Sequence, residues 1–267
     1  MSKPRNITET NPAAAIESAQ SAISDGITLG SRGLLNDAVE AFDRGLSVLK
    51  SLKTNRAAVQ LLTAQALGNK GAALGDMDRH GDAIECYDAA IAIYRRLAEP
   101  GADADLIGSY AVSLMNKGWA LINQGRQKQG FPCHEEALRL RRQLAADGHD
   151  EILPDIARSL YNIGEGYFRT ERFATALPAF DEGESILRGL VKANNPDSEE
   201  ALAYLLAARA DTLQMLGRLQ EALDVNTEAV TLLKRLSSES ENSKLASAIA
   251  TTLEGRKKIL RKLKAPQ

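Results

Sequence analysis

Three asparagines recur at nearly constant spacing along the chain: Asn69, Asn116 and Asn162, each followed two residues later by a glycine (Gly71, Gly118, Gly164). An asparagine side chain carries both a donor and an acceptor. A row of them suits the backbone of an extended peptide, whose N–H and C=O groups repeat whatever the side chains are. Positions three and seven further on share a helical face with each asparagine. They add Ala72 and Asp76, then Trp119 and Asn123, then Glu165 and Arg169. Four residues before the equivalent place stand Gln65, Val112, Arg158 and Tyr204.

Other residues invite a catalytic reading, and their surroundings argue against it. Gly164-Glu165-Gly166 has the look of a phosphate loop, but no strand precedes it and it lies inside a helical period. His134-Glu135-Glu136 lacks the second histidine of a zinc-protease helix. His80 and His149 fall in turns with no cysteine or histidine near them. Asp181, Glu182 and Glu184 read as solvated charge on a helix face. Cys86 and Cys133 form no CxxC pair and have no histidine at ligand spacing, so they are expected to be free, buried, small apolar residues. The expectation is no catalytic residue, no metal site and no cofactor.

The chain has 267 residues, 44% of them hydrophobic and 4% aromatic, with 20 glycines and 8 prolines. That composition suits helices in contact through alanine and leucine. The formal charge of −2 is uneven. Residues 256–267 carry six basic residues and no acid, leaving 27 basic against 35 acidic elsewhere, a net of −8. Such a body is a poor footprint for nucleic acid. MSKPRNITETNP contains no apolar leader core, and no stretch approaches the roughly 18 apolar residues of a membrane span. A cytoplasmic location is the expectation.

The elements that would position these groups repeat. A small residue occurs at Gly26, Gly71, Gly118, Gly164 and Ala210, at steps of 45, 47, 46 and 46. Twelve residues after each comes a second small residue: Ala38, Ala83, Gly130, Ala176 and Ala222. Four further on stand Phe42, Tyr87, His134, Phe180 and Asn226, then a third small residue and a closing leucine. Two antiparallel helices approach closely only where side chains are small, and a large neighbour fills the space beside the contact. The third copy, with Gly130, Pro132 and His134, reads as degenerate. The expected boundaries are a disordered tail at 1–10, helical hairpins at 11–53, 54–98, 99–146, 147–193 and 194–237, and a capping helix with a basic tail at 238–267. Asn195-Pro196-Asp197 is expected to cap a helix with its proline in the first turn. The basic residues near each second-helix end (Lys50, Arg95, Arg142, Arg188, Lys234) are expected to oppose the helix dipole on a solvated surface.

On these residues, Ile163-Gly164, Tyr167, Ala176 and Phe180 above all, together with the GRLQEAL turn at 217–223, the chain resembles the tetratricopeptide repeat family over residues 12–237. The usual repeat is 34 residues and ends its second helix with proline. The longer repeat here, with a basic residue in place of that proline, resembles the kinesin-light-chain and bacterial multi-repeat regulator type. The resemblance implies an all-α, right-handed superhelical solenoid of five hairpins plus a capping helix, whose first helices line a concave groove. It further implies a non-enzymatic scaffold or adaptor whose partner is a protein or an extended peptide. The groove residues expected to contact it are Asn69, Asp76, Asn116, Trp119, Asn123, Arg158, Asn162, Glu165, Arg169 and Tyr204. Trp119 suits an anchor for an apolar side chain or a place between repeats. Two other roles fit the same architecture: a peptide-sensing regulator and a self-assembling subunit. The basic stretch Arg256–Lys264 fits a cap whose charges face solvent, with contact to nucleic acid or anionic membrane as the alternative.

Overall fold

The first-helix glycines of the repeat are small because a ring lies against the helix backbone beside them. A Cβ added to Gly26 would sit 2.7 Å from the ring of Phe42, to Gly71 2.7 Å from Tyr87, and to Gly164 2.5 Å from Phe180. The computed structural model describes residues 11–99, 101–239 and 243–264. Among them are eleven α-helices and no β-strand. They are α1 (Pro12–Ser31), α2 (Leu35–Ser51), α3 (Ala57–Asp76), α4 (His80–Leu97), α5 (Ala104–Asn123), α6 (Gln127–Ala146), α7 (Leu153–Arg169), α8 (Phe173–Lys192), α9 (Ser198–Met215), α10 (Leu219–Glu239) and α11 (Ser243–Lys264). The expected tail at 1–10, Pro100, and residues 240–242 and 265–267 of the expected cap lie outside the described residues. The chain divides into two compact units, up to Leu140 and from Arg141 on, with the division inside α6.

Within each unit consecutive helices run as hairpins, α1 with α2, α3 with α4, α7 with α8 and α9 with α10. Each of these four hairpins, and the connection from α5 to α6, turns through one residue with positive φ: Gly33, Asp78, Gly125, Glu171 and Gly217. These recur at the repeat spacing, and the amide after each donates back five residues, as in Arg172 N–H to the Tyr167 carbonyl at 2.9 Å. That bond closes a Schellman turn, where glycine carries no Cβ penalty. At Glu171 the left-handed backbone costs an L-residue about 1–2 kcal/mol. Glu171→Gly is therefore expected to raise the unfolding free energy by up to about 1 kcal/mol after its greater unfolded-state entropy is counted, read from urea melts. A loss would mean the turn is held by the glutamate side chain instead.

The third copy keeps the pattern that its residue types obscure. His134 occupies the ring position, 2.9 Å from where a Cβ of Gly118 would be, and a Cβ on Gly130 would lie 2.7 Å from the Gly118 carbonyl oxygen. Glycine on both helices lets α5 and α6 make their closest approach there, and Pro132 is accommodated inside α6. Cys86 and Cys133 are unpaired and half-buried rather than buried, flanking the core around Tyr87, Tyr94 and Tyr110. The start of α9 also differs from expectation. Pro196 precedes the helix and Asp197 takes a left-handed conformation (φ 61°), so the first helical residue is Ser198, whose hydroxyl donates to Asn195 Oδ1 at 2.8 Å.

Charge links the repeats. Lys70, Lys117 and Arg209, each one residue before the small residue of a first helix, pair with Asp43, Asp88 and Asp181 of the preceding second helix at 2.5, 2.5 and 2.7 Å. Successive second helices are joined too, by Arg95–Glu136, Arg142–Glu182 and Arg188–Glu228 at 3.6, 2.5 and 2.8 Å. Three of the five cations expected to serve the helix dipole are thus bridges between repeats. Each exposed pair contributes only about 0.2–1 kcal/mol, so they set register more than stability.

A buried cation is different. Arg141 is 2% exposed and donates to Ser159 Oγ and, at 3.3 Å, to the Asp155 carbonyl. Burial pushes its guanidinium down to about 10, partly offset by the Asp155 carboxylate. Ser159→Ala is expected to cost about 1–3 kcal/mol by leaving buried N–H groups unpaired. Arg141→Met removes the charge with its cavity and is expected to be neutral or stabilising. Denaturant midpoints of the two variants check the contrast, which equal losses would contradict.

The last helix, α11, continues the series: Gly255 lies 45 residues beyond Ala210. Leu245, Thr252 and Ile259 are buried, and Asn226, at the ring position of the last hairpin, donates to the Thr252 carbonyl at 3.0 Å. Where α9 has buried Leu202, Leu205 and Leu206, α11 has Ser247, Ala250 and Thr251, the first and last exposed as well as the alanine. A polar outer face of this kind is what a terminal repeat needs.

Candidate functional site

The backbones of the first helices approach one another closely, α1 with α3, α3 with α5 and α7 with α9, whereas among the described residues those of α2 and α4, or α8 and α10, do not, and α8 reaches α10 through long side chains such as Arg188 to Glu228. Within each unit the first helices therefore form the inner side of the curve. Clefts open between them.

In the first unit a cleft of about 190 Å³ is lined by Asp76, Asn116, Trp119 and Asn123, with Ala72, His80 and Tyr87. The Asn116 amide lies beside the Tyr87 hydroxyl and favours its ionised form. Burial, and then the nearby Asp76 carboxylate, push the Tyr87 phenol up. Trp119 is half-buried and does two things: its ring meets the edge of His134 with centroids 5.7 Å apart, and it walls the cleft. A second cleft, of about 160 Å³, shares Ala72 and Asp76 with the first and holds Asn69 beside Ile27, Leu35 and Phe42.

In the second unit a pocket of about 490 Å³ is lined by Arg158 and Tyr204 with Tyr161, Pro154 and Pro196. Arg158 pairs with Asp155 of its own helix, and burial, then the nearby Glu200 carboxylate, push the Tyr204 phenol up. Burial pushes the Tyr161 phenol up to about 12. Sequence reasoning passed over Tyr161 and Tyr87. Tyr161 lies three residues after Arg158, on the same helical face, and Tyr87 is hidden by its second role at the ring position. Asn162, Glu165 and Arg169 lie on α7 outside these three clefts.

Glu165 and Asp211, each one residue beyond the small residue of its helix, are both half-buried. Burial raises the Glu165 carboxyl, and Asp211 raises it further against the pull of Arg169. Burial likewise raises Asp211, opposed by Lys258. A carboxyl raised above its unfolded value binds more protons when folded, so it lowers stability as pH rises through the window between the two values. Glu165→Gln is therefore expected to stabilise the chain at pH 7 and to have no effect below about pH 4. Thermal melts across that range test the sign, and a gain at low pH alone would contradict it.

Among the described residues no constellation for covalent or acid–base chemistry assembles. Burial pushes the His134 imidazole down to about 4, so it is neutral near pH 7, and its Nδ1 faces Met115 Sδ at 3.4 Å. Both thiols are pushed up by burial, away from thiolate nucleophiles. Asp181, Glu182 and Glu184 are engaged by Arg209, Arg142 and Arg188. Among the described residues no three His, Cys, Asp or Glu side chains are grouped to hold a metal ion, and no helix is long and apolar enough to cross a membrane.

Compared with known proteins, residues 63–101 and 111–151 match the tetratricopeptide repeat profile. No curated protein sequence matches. Solved structures do. A Podosopora anserina protein described as a kinesin light chain with nearly identical repeats superposes with a TM-score of 0.63 at 14% identity, over 86% of this chain and 100% of that one. BtubC from P. vanneervenii gives 0.67 at 14% identity, over 87% and 93%. A Rap protein complexed with competence and sporulation factor gives 0.61 at 13% identity, over 93% and 67%. Likeness at these identities is a likeness of fold.

Proposed function

We propose that this chain, which carries tetratricopeptide repeats in an all-α stack of helical hairpins, is a non-enzymatic binding module that holds an extended peptide segment against its first helices. The observation that carries this is the cleft wall in the first unit. There Asn69, Asp76, Asn116, Trp119 and Asn123 line adjoining openings on the inner side of the helices. Side-chain amides there match peptide backbone groups, and a half-buried tryptophan matches an anchor residue. In the second unit the Tyr161 and Tyr204 walls suit an apolar side chain of the same kind of ligand.

The adaptor reading and a peptide-sensing reading use the same face. The second is favoured by the likeness to a Rap protein that was crystallised with a factor bound. Capture experiments test the shared premise. Asn69→Ala with Asn123→Ala changes the first-helix face, and Ser185→Arg changes the exposed side of α8. The first is expected to weaken partner capture and the second to leave it intact. The reverse pattern would move binding to the second helices.

A further inference from the structure

Resting on that reading, we propose that the cleft between α3 and α5 is a receptor for a cationic side chain, arginine or lysine, of an extended peptide whose neighbouring residue on the same face is apolar. Asp76 carries the argument. It is exposed on the cleft wall and has no ion-pair partner among the described residues, while four cations of the same repeats have partners of their own. Lys70 is held by Asp43, Lys117 by Asp88 and Arg79 by Asp82. Arg126 bonds Gln124 and Gln129 at 3.2 and 2.6 Å. The only cations on the two helices that flank the cleft, Lys70 on α3 and Lys117 on α5, are both paired with other carboxylates, which leaves Asp76 open to a ligand.

What faces that carboxylate is suited to a cation. Ala72 and Trp119 hold equivalent places in successive repeats, so the small residue leaves room in front of the indole. An ammonium or guanidinium group over an aromatic face is attracted by the ring quadrupole, and a charge-assisted bond to the carboxylate is stronger than a neutral one. Asn123 offers an amide oxygen to the remaining N–H groups. The volume of about 190 Å³ suits one long side chain and falls below the 300 Å³ or so at which small-molecule pockets begin.

The adjoining cleft shares the Ala72–Asp76 wall and is apolar, with Phe42 and a 51% exposed Ile27. An extended chain sends residues i and i+2 to one face, so an apolar residue two places from the cation enters it. The acidic excess of the chain outside residues 256–267 favours such a ligand at longer range.

The probe is acetyl-Leu-Gly-Arg-amide, compared with its citrulline and glutamate counterparts. Trp119 is the only tryptophan, so its fluorescence reports the cleft directly, and calorimetry gives the affinity independently. Saturable binding of the arginine peptide is expected, weakened about 10-fold or more by citrulline and by Asp76→Asn, and unchanged by Asp78→Asn. Equal binding of the citrulline peptide, full affinity in Asp76→Asn, or no binding of the arginine peptide would overturn the proposal. If partner capture is still lost in the Asn69→Ala, Asn123→Ala variant, the groove reading survives that failure and only the cation assignment falls.

Discussion

Phe180→Ala is expected to lower the unfolding free energy by about 3–5 kcal/mol, the usual cost of deleting a fully buried aromatic ring. Phe180 is 0% exposed and lies flat on the backbone of α7 at Gly164, with Tyr161 at its edge, centroids 6.2 Å apart. The stronger test is a reversal of sign. Gly164→Ala alone puts a methyl 2.5 Å from the ring, and overpacking of that kind costs about 1–3 kcal/mol. In the Phe180→Ala background the same change fills part of the cavity and replaces glycine inside a helix, which is worth up to about 1 kcal/mol. Gly164→Ala should therefore destabilise the natural chain and stabilise the variant, while exposed Ser185→Ala stays within about 0.5 kcal/mol in both. Additive effects in urea melts would mean that the two residues are not in contact.

Much of this arrangement can be read from the chain. A ring against a backbone admits only glycine beneath it, so a packing constraint leaves a mark on residue type, and the mark recurs at 26, 71, 118 and 164, while alanine stands at 210, where the partner is Asn226. His134 shows the limit: its position kept the pattern while its type broke it, and a reading by type calls the copy degenerate. Asn195-Pro196-Asp197 has the composition of a helix start, yet the left-handed backbone at Asp197 delays the helix to Ser198. Arg142 and Arg188 match a dipole rule based on local sequence, but their partners, Glu182 and Glu228, lie 40 residues on, beyond any local rule. For the site, the asparagine spacing and the i, i+3, i+7 face lead to Asp76, Trp119 and Asn123. The same logic fails to show that Asn116 lies beside the Tyr87 hydroxyl, or that Tyr161 walls a pocket, because both depend on a side chain from another helix.

Trp119→Ala carries the largest expected loss of binding. A tryptophan anchor in a desolvated cleft typically costs 2 kcal/mol or more on truncation, roughly 30-fold in affinity. Asn69→Ala removes one hydrogen bond and should cost about 0.5–1.5 kcal/mol. Because Trp119 also meets His134, part of its effect will appear in the melt. Trp119→Phe keeps a ring against His134 and is expected to restore stability more fully than affinity. Calorimetric titration with the purified partner beside a thermal melt separates the two. Equal affinity of Trp119→Ala and the natural protein would confine Trp119 to the interior of the fold.

The claim that the first helices are the binding surface is tested most directly by site-specific photo-crosslinking. A benzoylphenylalanine placed at Gln65 on α3 or Val112 on α5 samples the inner side, and one at Ser185 on α8 samples the outer side. With the partner bound, adducts are expected from Gln65 and Val112 and none from Ser185; adducts from Ser185 alone would place the ligand on the second helices and contradict the account.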